Sequence, residues 1–333
     1  MVIKLLIATS DIDYAEHLSN VLTEKHSDVF EVYSCSNNEN LQGLLKSNRF
    51  DVALLEQNMA DQVSLLNILL PLVMRDVGVQ NAAMTNLDGI NKYQRVSSIV
   101  SEILGRFAKV NPNLNTIDSG YARVTAVWSP AGGCGKTSVA LAYAAQLVSG
   151  GNKTVYLSLQ SFSDGAVFFS QTGKSISTIF GADDANIGLL AQSIRVQDDG
   201  SGIWYFCDPA NYDDINVLTS DDVETVIKGC GYGVDEIVVD LSNEWNEKIK
   251  RIFNIADTIL IVLDAASNEK WQQFVNRNNV YGTIENKLRI VANKNATAGK
   301  LGISNVSVTL PYVQSKDPIV VYKTLSGENF AAK

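Results

Sequence analysis

Trp128-Ser129-Pro130-Ala131-Gly132-Gly133-Cys134-Gly135-Lys136-Thr137-Ser138 decides how the larger part of this chain folds. The apolar run Val124-Thr125-Ala126-Val127-Trp128 leads into it as a strand, and a helical pattern over Val139–Val148 follows. Three glycines between strand and helix let the backbone wrap closely around a phosphate chain, with N–H groups turned inward and the positive end of the helix dipole behind them. Gly132, Gly133, Cys134, Gly135 and Ser138 form the cradle. Lys136 reaches the β/γ-phosphates, and Thr137 places its hydroxyl on Mg²⁺. Glycine-rich strand-to-helix turns also occur without ligands, but the Gly-Lys-Thr ending in this context predicts a bound nucleotide.

Further along, Thr154–Leu159, Gly202–Cys207, Glu236–Val239, Thr258–Leu263, Leu288–Ala292 and Val306–Leu310 are short apolar runs rich in β-branched residues, with helical patterns between them. This alternation predicts a P-loop NTPase domain with a mostly parallel sheet over residues 121–333. Upstream, Ile3–Ala8, Phe30–Ser34 and Asp51–Leu55 are β-like, while Tyr14–Thr23 and Leu41–Leu45 have helical spacing. A helical region near Val63–Val73, a strand near Gln80–Met84 and a helix at Val96–Phe107 would complete a five-strand flavodoxin-like unit over residues 1–107. Both halves are thus α/β. The Asn-rich stretch 108–120, which holds Pro112 and Gly120 and lacks periodicity, is the expected linker.

At 333 residues the chain can build two domains with separate cores, and 46% hydrophobic with 19% charged residues describes a globular protein. The formal charge of −9, with Lys and Arg scattered, gives no general attraction to nucleic acid or anionic lipid. Met1–Ile7 is too short for a signal peptide, and no apolar run reaches membrane-spanning length. Cys35, Cys134, Cys207 and Cys230 show no CxxC pair and are expected to be reduced and mostly buried, which predicts a cytoplasmic protein.

A phosphate loop needs an acidic residue at the end of a buried strand to hold a water on Mg²⁺, and Asp240, closing Glu236-Ile237-Val238-Val239, meets that requirement. A solvated turn would also suit an aspartate there. In this order the motifs resemble the ParA/MinD superfamily of deviant Walker A ATPases, from about Tyr121 to the C-terminus. Ala131–Thr137 matches the family pattern Lys-Gly-Gly-x-Gly-Lys-Thr except at its first residue, where Ala131 replaces the signature lysine that reaches a partner's phosphates across a nucleotide-sandwich dimer. The family's Asp-x-Asp on the next strand is replaced by Ser158 and Gln160. Gln160 can orient a water but cannot take up a proton, so hydrolysis is expected to be slow or absent, with Asp164 as an alternative carboxylate. Leu241-Ser242-Asn243 replaces the family's Pro- or Gly-containing switch. The resemblance also implies ATP and Mg²⁺ as ligands, Lys136, Gln160 and Asp240 as the catalytic set, Thr137 and Asp240 at the metal, and Asn293, Pro311 and Tyr312 around the adenine. An Asn-Lys pair after a strand is equally at home in a plain turn.

The first half resembles a response-regulator receiver. A working receiver has an acidic pair after its first strand and a phosphate-accepting aspartate after its third. Ala8-Thr9-Ser10-Asp11 and Glu56 stand in those places, so phosphotransfer is not expected and the unit is predicted to dock or dimerise. Lys92 matches the receiver's late lysine and is expected to pair with Glu56. A degenerate receiver fused to a deviant Walker A ATPase resembles the TadZ/CpaE family of bacterial Flp (Tad) pilus assembly. That resemblance implies a homodimer supported by nucleotide, a polar landmark role, and partners among pilus-assembly or polar localisation proteins. The rival readings are a ParA-type partition ATPase, which would need a basic face, a MinD-like division-site regulator, which would need an amphipathic membrane helix unlike Asp317–Lys333, and a scaffold that holds ATP permanently.

Overall fold

A computed structural model describes residues 2–27, 29–61, 64–76, 87–111, 122–180, 187–277, 284–303 and 305–330. The chain divides into two compact units, Met1–Asp118 and Ser119–Lys333.

The first unit alternates β1 (Ile3–Ala8), α1 (Ile12–Lys25), β2 (Phe30–Cys35), α2 (Asn38–Ser47), β3 (Phe50–Glu56), the short α3 (Gln57–Ala60), β4 (Ile68–Arg75), β5 (Gly89–Asn91) and α4 (Val96–Val110). Its strands form one parallel sheet in the order β2-β1-β3-β4-β5, the flavodoxin-like arrangement expected. Strands covered by helices on both faces are predominantly apolar, and β1 and β3 follow that rule apart from Lys4, Asp51 and Glu56. Asp11 and Asn37 cap α1 and α2 by accepting backbone N–H bonds from Tyr14 and Asn40.

Two expectations need correction. Where a helix was expected near 63–73, residues Ile68–Arg75 form a strand; leucines at i, i+3, i+4 imitate a helical face, but β3 and β5 claim the segment by pairing on either side. Pro71 is tolerated there because, among the described residues, β5 pairs with β4 only at Val73–Arg75 and leaves that side of Pro71 without a ladder partner. The fifth strand is Gly89–Asn91, whereas 80–84 lies outside the described residues. In addition, α4 runs on to Val110 with Ala108 buried, three residues into the stretch expected to be linker.

The second unit carries β6 (Arg123–Trp128), α5 (Lys136–Ser149), β7 (Thr154–Leu159), α6 (Gly165–Phe168), α7 (Ile187–Ile194), β8 (Val196–Gln197), β9 (Trp204–Tyr205), α8 (Asp213–Val217), α9 (Ser220–Cys230), β10 (Glu236–Leu241), α10 (Glu247–Ile255), β11 (Thr258–Leu263), α11 (Asn268–Arg277), β12 (Leu288–Ala292), α12 (Ala298–Leu301), β13 (Val308–Thr309) and α13 (Pro318–Leu325). The sheet order is β13-β12-β11-β6-β10-β7-β9-β8, parallel except for the β8–β9 pair. Strand β10 lies between β6 and β7 and is buried along its whole length. Gly202–Cys207 and Val306–Leu310 shrink to two-residue strands at the sheet margins, and β8 was not foreseen. The helix α13 starts at capping Asp317 with Pro318 at its first turn and packs on α5 through buried Tyr322 and Leu325, so its apolar side belongs to the core. Among the described residues no helix is long and apolar enough to cross a membrane. All four cysteines are free and buried.

Candidate functional site

The C-terminal ends of β6, β7, β10, β11 and β12 meet where open parallel sheets place their ligands. From β6 the chain passes into the loop 129–135, where Gly133 and Gly135 take φ of +76° and +91°. Only glycine adopts such angles without strain. Lys136 and Thr137 open α5 and Ser138 follows in its first turn, so the free N–H groups of the helix face the loop. Ala131 is buried, its N–H donating to Ser129 Oγ at 3.2 Å, and Cys134 turns its thiol inward toward Ala131 O. Burial pushes that thiol's pKa up, so it stays protonated in the neutral range.

Asp240 is fully buried at the end of β10, with Ser158 of β7 and Val127 of β6 beside it in register. Its Oδ2 accepts from Tyr156 OH at 2.9 Å and from Gln160 Nε2 at 2.6 Å. The same Gln160 nitrogen donates to Thr137 Oγ1 at 3.2 Å. Asp240 Oδ1 is sealed from solvent and has no hydrogen-bond partner among the described residues. Burial pushes the carboxyl up to about 6, against the lowering effect of the neighbouring Thr137 hydroxyl, the hydrogen bonds from Tyr156 and Gln160 and the charge of Lys136. The structure therefore brings together Thr137, Gln160 and Asp240. Tyr156 completes the group and was missed; the signal was the alternation Tyr156-x-Ser158-x-Gln160, which puts Tyr156 and Ser158 on one face of β7 and Gln160 in line with them just past its end. Asp164 stands at the start of α6.

Asn293 follows β12 and is buried, its Nδ2 donating to Cys134 O at 2.9 Å and its Oδ1 accepting from Lys294 N at 2.9 Å. A methyl group on Gly135 would come within 2.5 Å of Asn293 Nδ2. Lys294, with φ of +55°, holds Gly133 O and pairs with Asp264 Oδ2 at 3.2 Å. A lysine in the left-handed region is strained, and these two contacts hold it there. The phosphate loop is thus fastened from outside by Asn293 and Lys294. Lys294 and Asp264 were also missed, although their placement at the ends of neighbouring strands could have suggested them. Pro311 and Tyr312 follow β13 next to this turn, where Asn295 N donates to Leu310 O, and Tyr312 is exposed.

An orphaned carboxylate oxygen, a nearby hydroxyl and a loop built on left-handed glycines suit a nucleotide carrying a divalent cation. Thr137 and Asp240 would hold the cation, the first directly and the second through water.

The receiver-like unit closes its own site. Glu56 Oε2 accepts from Ser10 N and Ser10 Oγ, both at 2.7 Å, and from Thr9 Oγ1 at 3.3 Å. Desolvation raises the Glu56 pKa, but the Ser10 bonds and the Lys92 charge outweigh it and leave it below the usual carboxylate range. Lys92 is buried and forms its ion pair with Asp11 at 3.5 Å rather than with Glu56, because α1 turns its capping aspartate toward the end of β5. Its ammonium lies 5.1 Å from the Tyr14 ring centre and 5.4 Å from that of Tyr93, whose hydroxyl donates to Asp11 at 2.8 Å.

Residues 1–108 match the family model described as the TadZ-like receiver domain. The P-loop unit has the fold of the ParA-type ATPases. A ParA family ATPase from Chlorobium tepidum superposes with a TM-score of 0.52 at 18% identity, covering 62% of this chain and 91% of that one. The MinC:MinD cell division complex of Aquifex aeolicus gives 0.46 at 16% identity, covering 64% and 98%, and the cell division ATPase MinD of Pyrococcus furiosus gives 0.47 at 12%, covering 62% and 97%. No curated protein matches the sequence significantly.

Proposed function

We propose that this chain is an ATP-binding localisation protein of Flp (Tad) pilus assembly, in which Mg²⁺–ATP supports a homodimer of the P-loop unit and the receiver-like unit engages polar or pilus-assembly partners. The observation that carries this reading is the pairing of a TadZ-like receiver match with a ParA-type fold. The missing chemistry agrees with it. No carboxylate stands at Ser158 or Gln160, and a buried alanine replaces the signature lysine, so the site is suited to holding nucleotide rather than to turning it over quickly. Bound, Mg²⁺ would neutralise phosphate charge; Lys136 would contact the β/γ-phosphates, Thr137 and Asp240 would orient the cation, and Asn293 with Pro311 and Tyr312 would flank the base. Hydrolysis is slow or absent, and the protein acts in the cytoplasm at a cell pole.

Light scattering with and without Mg²⁺–ATP, together with phosphate release and a Lys136→Ala control, tests this. A nucleotide-dependent dimer with little release is the expected result. Rapid release that disappears in the control would favour the second reading, a partition or division-site ATPase, which the fold also supports but the net charge of −9 does not. Absence of ATP binding would refute both.

A further inference from the structure

Gln160 occupies a particular position: one amide nitrogen bridges the hydroxyl of Thr137 and the carboxylate of Asp240, the two groups proposed to serve the cation. An octahedral Mg²⁺ that takes a hydroxyl at about 2.1 Å holds its adjacent waters about 3 Å from that hydroxyl, and such a water donates to a nearby carboxylate at about 2.7 Å. Gln160 Nε2 lies 3.2 Å from Thr137 Oγ1 and 2.6 Å from Asp240 Oδ2, which is the same pair of relations. An amide NH₂ group also resembles a metal-bound water in chemistry, since both present two polarised hydrogens and carry partial positive charge.

We propose that the Gln160 amide is a built-in substitute for a magnesium-bound water, holding Thr137 and Asp240 in place while no cation is present. This rests on the nucleotide reading of the site and goes beyond it in two ways. Nucleotide can enter a site that is already ordered, with or without Mg²⁺. The cation must then displace Gln160, so it adds less affinity than an open site would allow. Tyr156 supports this arrangement by taking part of the Asp240 Oδ2 acceptor capacity, so that once the amide has left the carboxylate still has one donor and does not collapse toward the loop. Gln160 is a positioning residue on this account. A carboxylate in its place would attract the cation instead of imitating its water.

The test is calorimetric titration of the full chain with AMPPNP, once with Mg²⁺ and once with EDTA, for wild type, Gln160→Met, Gln160→Ala and Lys136→Ala, with thermal melting to establish that each variant folds. Methionine fills the volume of glutamine without its donors. The ratio of the Kd in EDTA to the Kd in Mg²⁺ is the diagnostic readout, because a residue important only for packing would weaken both alike. Removing a charge-assisted hydrogen bond that the cation would otherwise have to break is expected to raise this ratio about tenfold in both Gln160 variants, mainly by tightening the Mg²⁺ complex. An unchanged ratio in both, with binding still lost in Lys136→Ala, would overturn the substitution while leaving the nucleotide site standing. Equal weakening under both conditions would also overturn it and make Gln160 a direct nucleotide ligand. A wild type that binds AMPPNP under neither condition would overturn both this inference and the reading beneath it.

Discussion

The receiver-like unit and the P-loop unit both gather polar side chains at the C-terminal ends of a parallel sheet, yet they leave them in opposite states. Around Glu56 one carboxylate oxygen collects three donors, and the buried Lys92 is held by Asp11 and two aromatic rings. Around Asp240, in a fully buried position, one oxygen accepts two hydrogen bonds and the other has no partner among the described residues. A cluster whose members satisfy one another has little to gain from a ligand. A cluster that keeps an orphaned acceptor is destabilised until something arrives to complete it. The same architecture thus closes on itself in one unit and, on the proposed reading, becomes a loading site in the other.

The largest effect that would break this contrast concerns Lys136. Lys136→Ala should weaken AMPPNP binding at least about 100-fold, since it would remove the proposed charged phosphate contact, whereas Glu56→Ala should leave that affinity unchanged; titration of both variants decides the matter.

Asp240→Asn comes next. The folded carboxyl titrates at about 6 against an ordinary 3.8, so it favours the fold while protonated, below about pH 4, and that contribution disappears as pH rises through about 6. The asparagine variant, free of this charge, should therefore be more stable than wild type at pH 7 without nucleotide, by on the order of 2–3 kcal/mol, and equally stable near pH 4, as melting curves across that range would reveal. It should lose the Mg²⁺-dependent part of nucleotide binding at the same time.

Gly135→Ala is expected to cost about 2 kcal/mol, from a left-handed φ and the close approach of Asn293, with chemical denaturation as the measurement. The smallest effect belongs to the closed site. Glu56→Gln should lower stability by about 1 kcal/mol near neutral pH; because the folded pKa lies below its ordinary value, this difference should vanish as pH falls through the carboxylate range. Glu56→Asp should remain unlabelled by acetyl phosphate, since Ser10, Thr9 and Lys92 stay in place; labelling would show that the receiver-like site is open after all.

Much of the fold could be read from particular residues. The glycines and the Lys-Thr pair located the loop, and the mostly apolar runs containing β-branched residues located β7, β11 and β12 to the residue. The sequence failed where tertiary pairing outweighed local pattern: Ile68–Arg75 has leucines at helical intervals but is claimed by β3 and β5, and Val196–Gln197 is too short for any periodicity. Thr137, Gln160 and Asp240 could be found because a motif or register specifies them. For Tyr156 and Lys294 the sequence offers only their placement, on one face of β7 and at a strand end; their partners Asp240 and Asp264 depend on which side chain lies opposite on another strand. The Lys92 partner was misassigned for the same reason. A lysine late in the sheet can reach two acids, and helix capping decides which one turns toward it.

Asn293 touches the phosphate loop through Cys134 O and Gly135, and it stands at the end of the strand that would face the base. Energies measured by trimming the two ends of the nucleotide should therefore not sum. In a double-mutant cycle that pairs Asn293→Ala with removal of the γ-phosphate, the coupling should be non-zero, because the residue that would read one end of the ligand also sets the shape of the loop that holds the other.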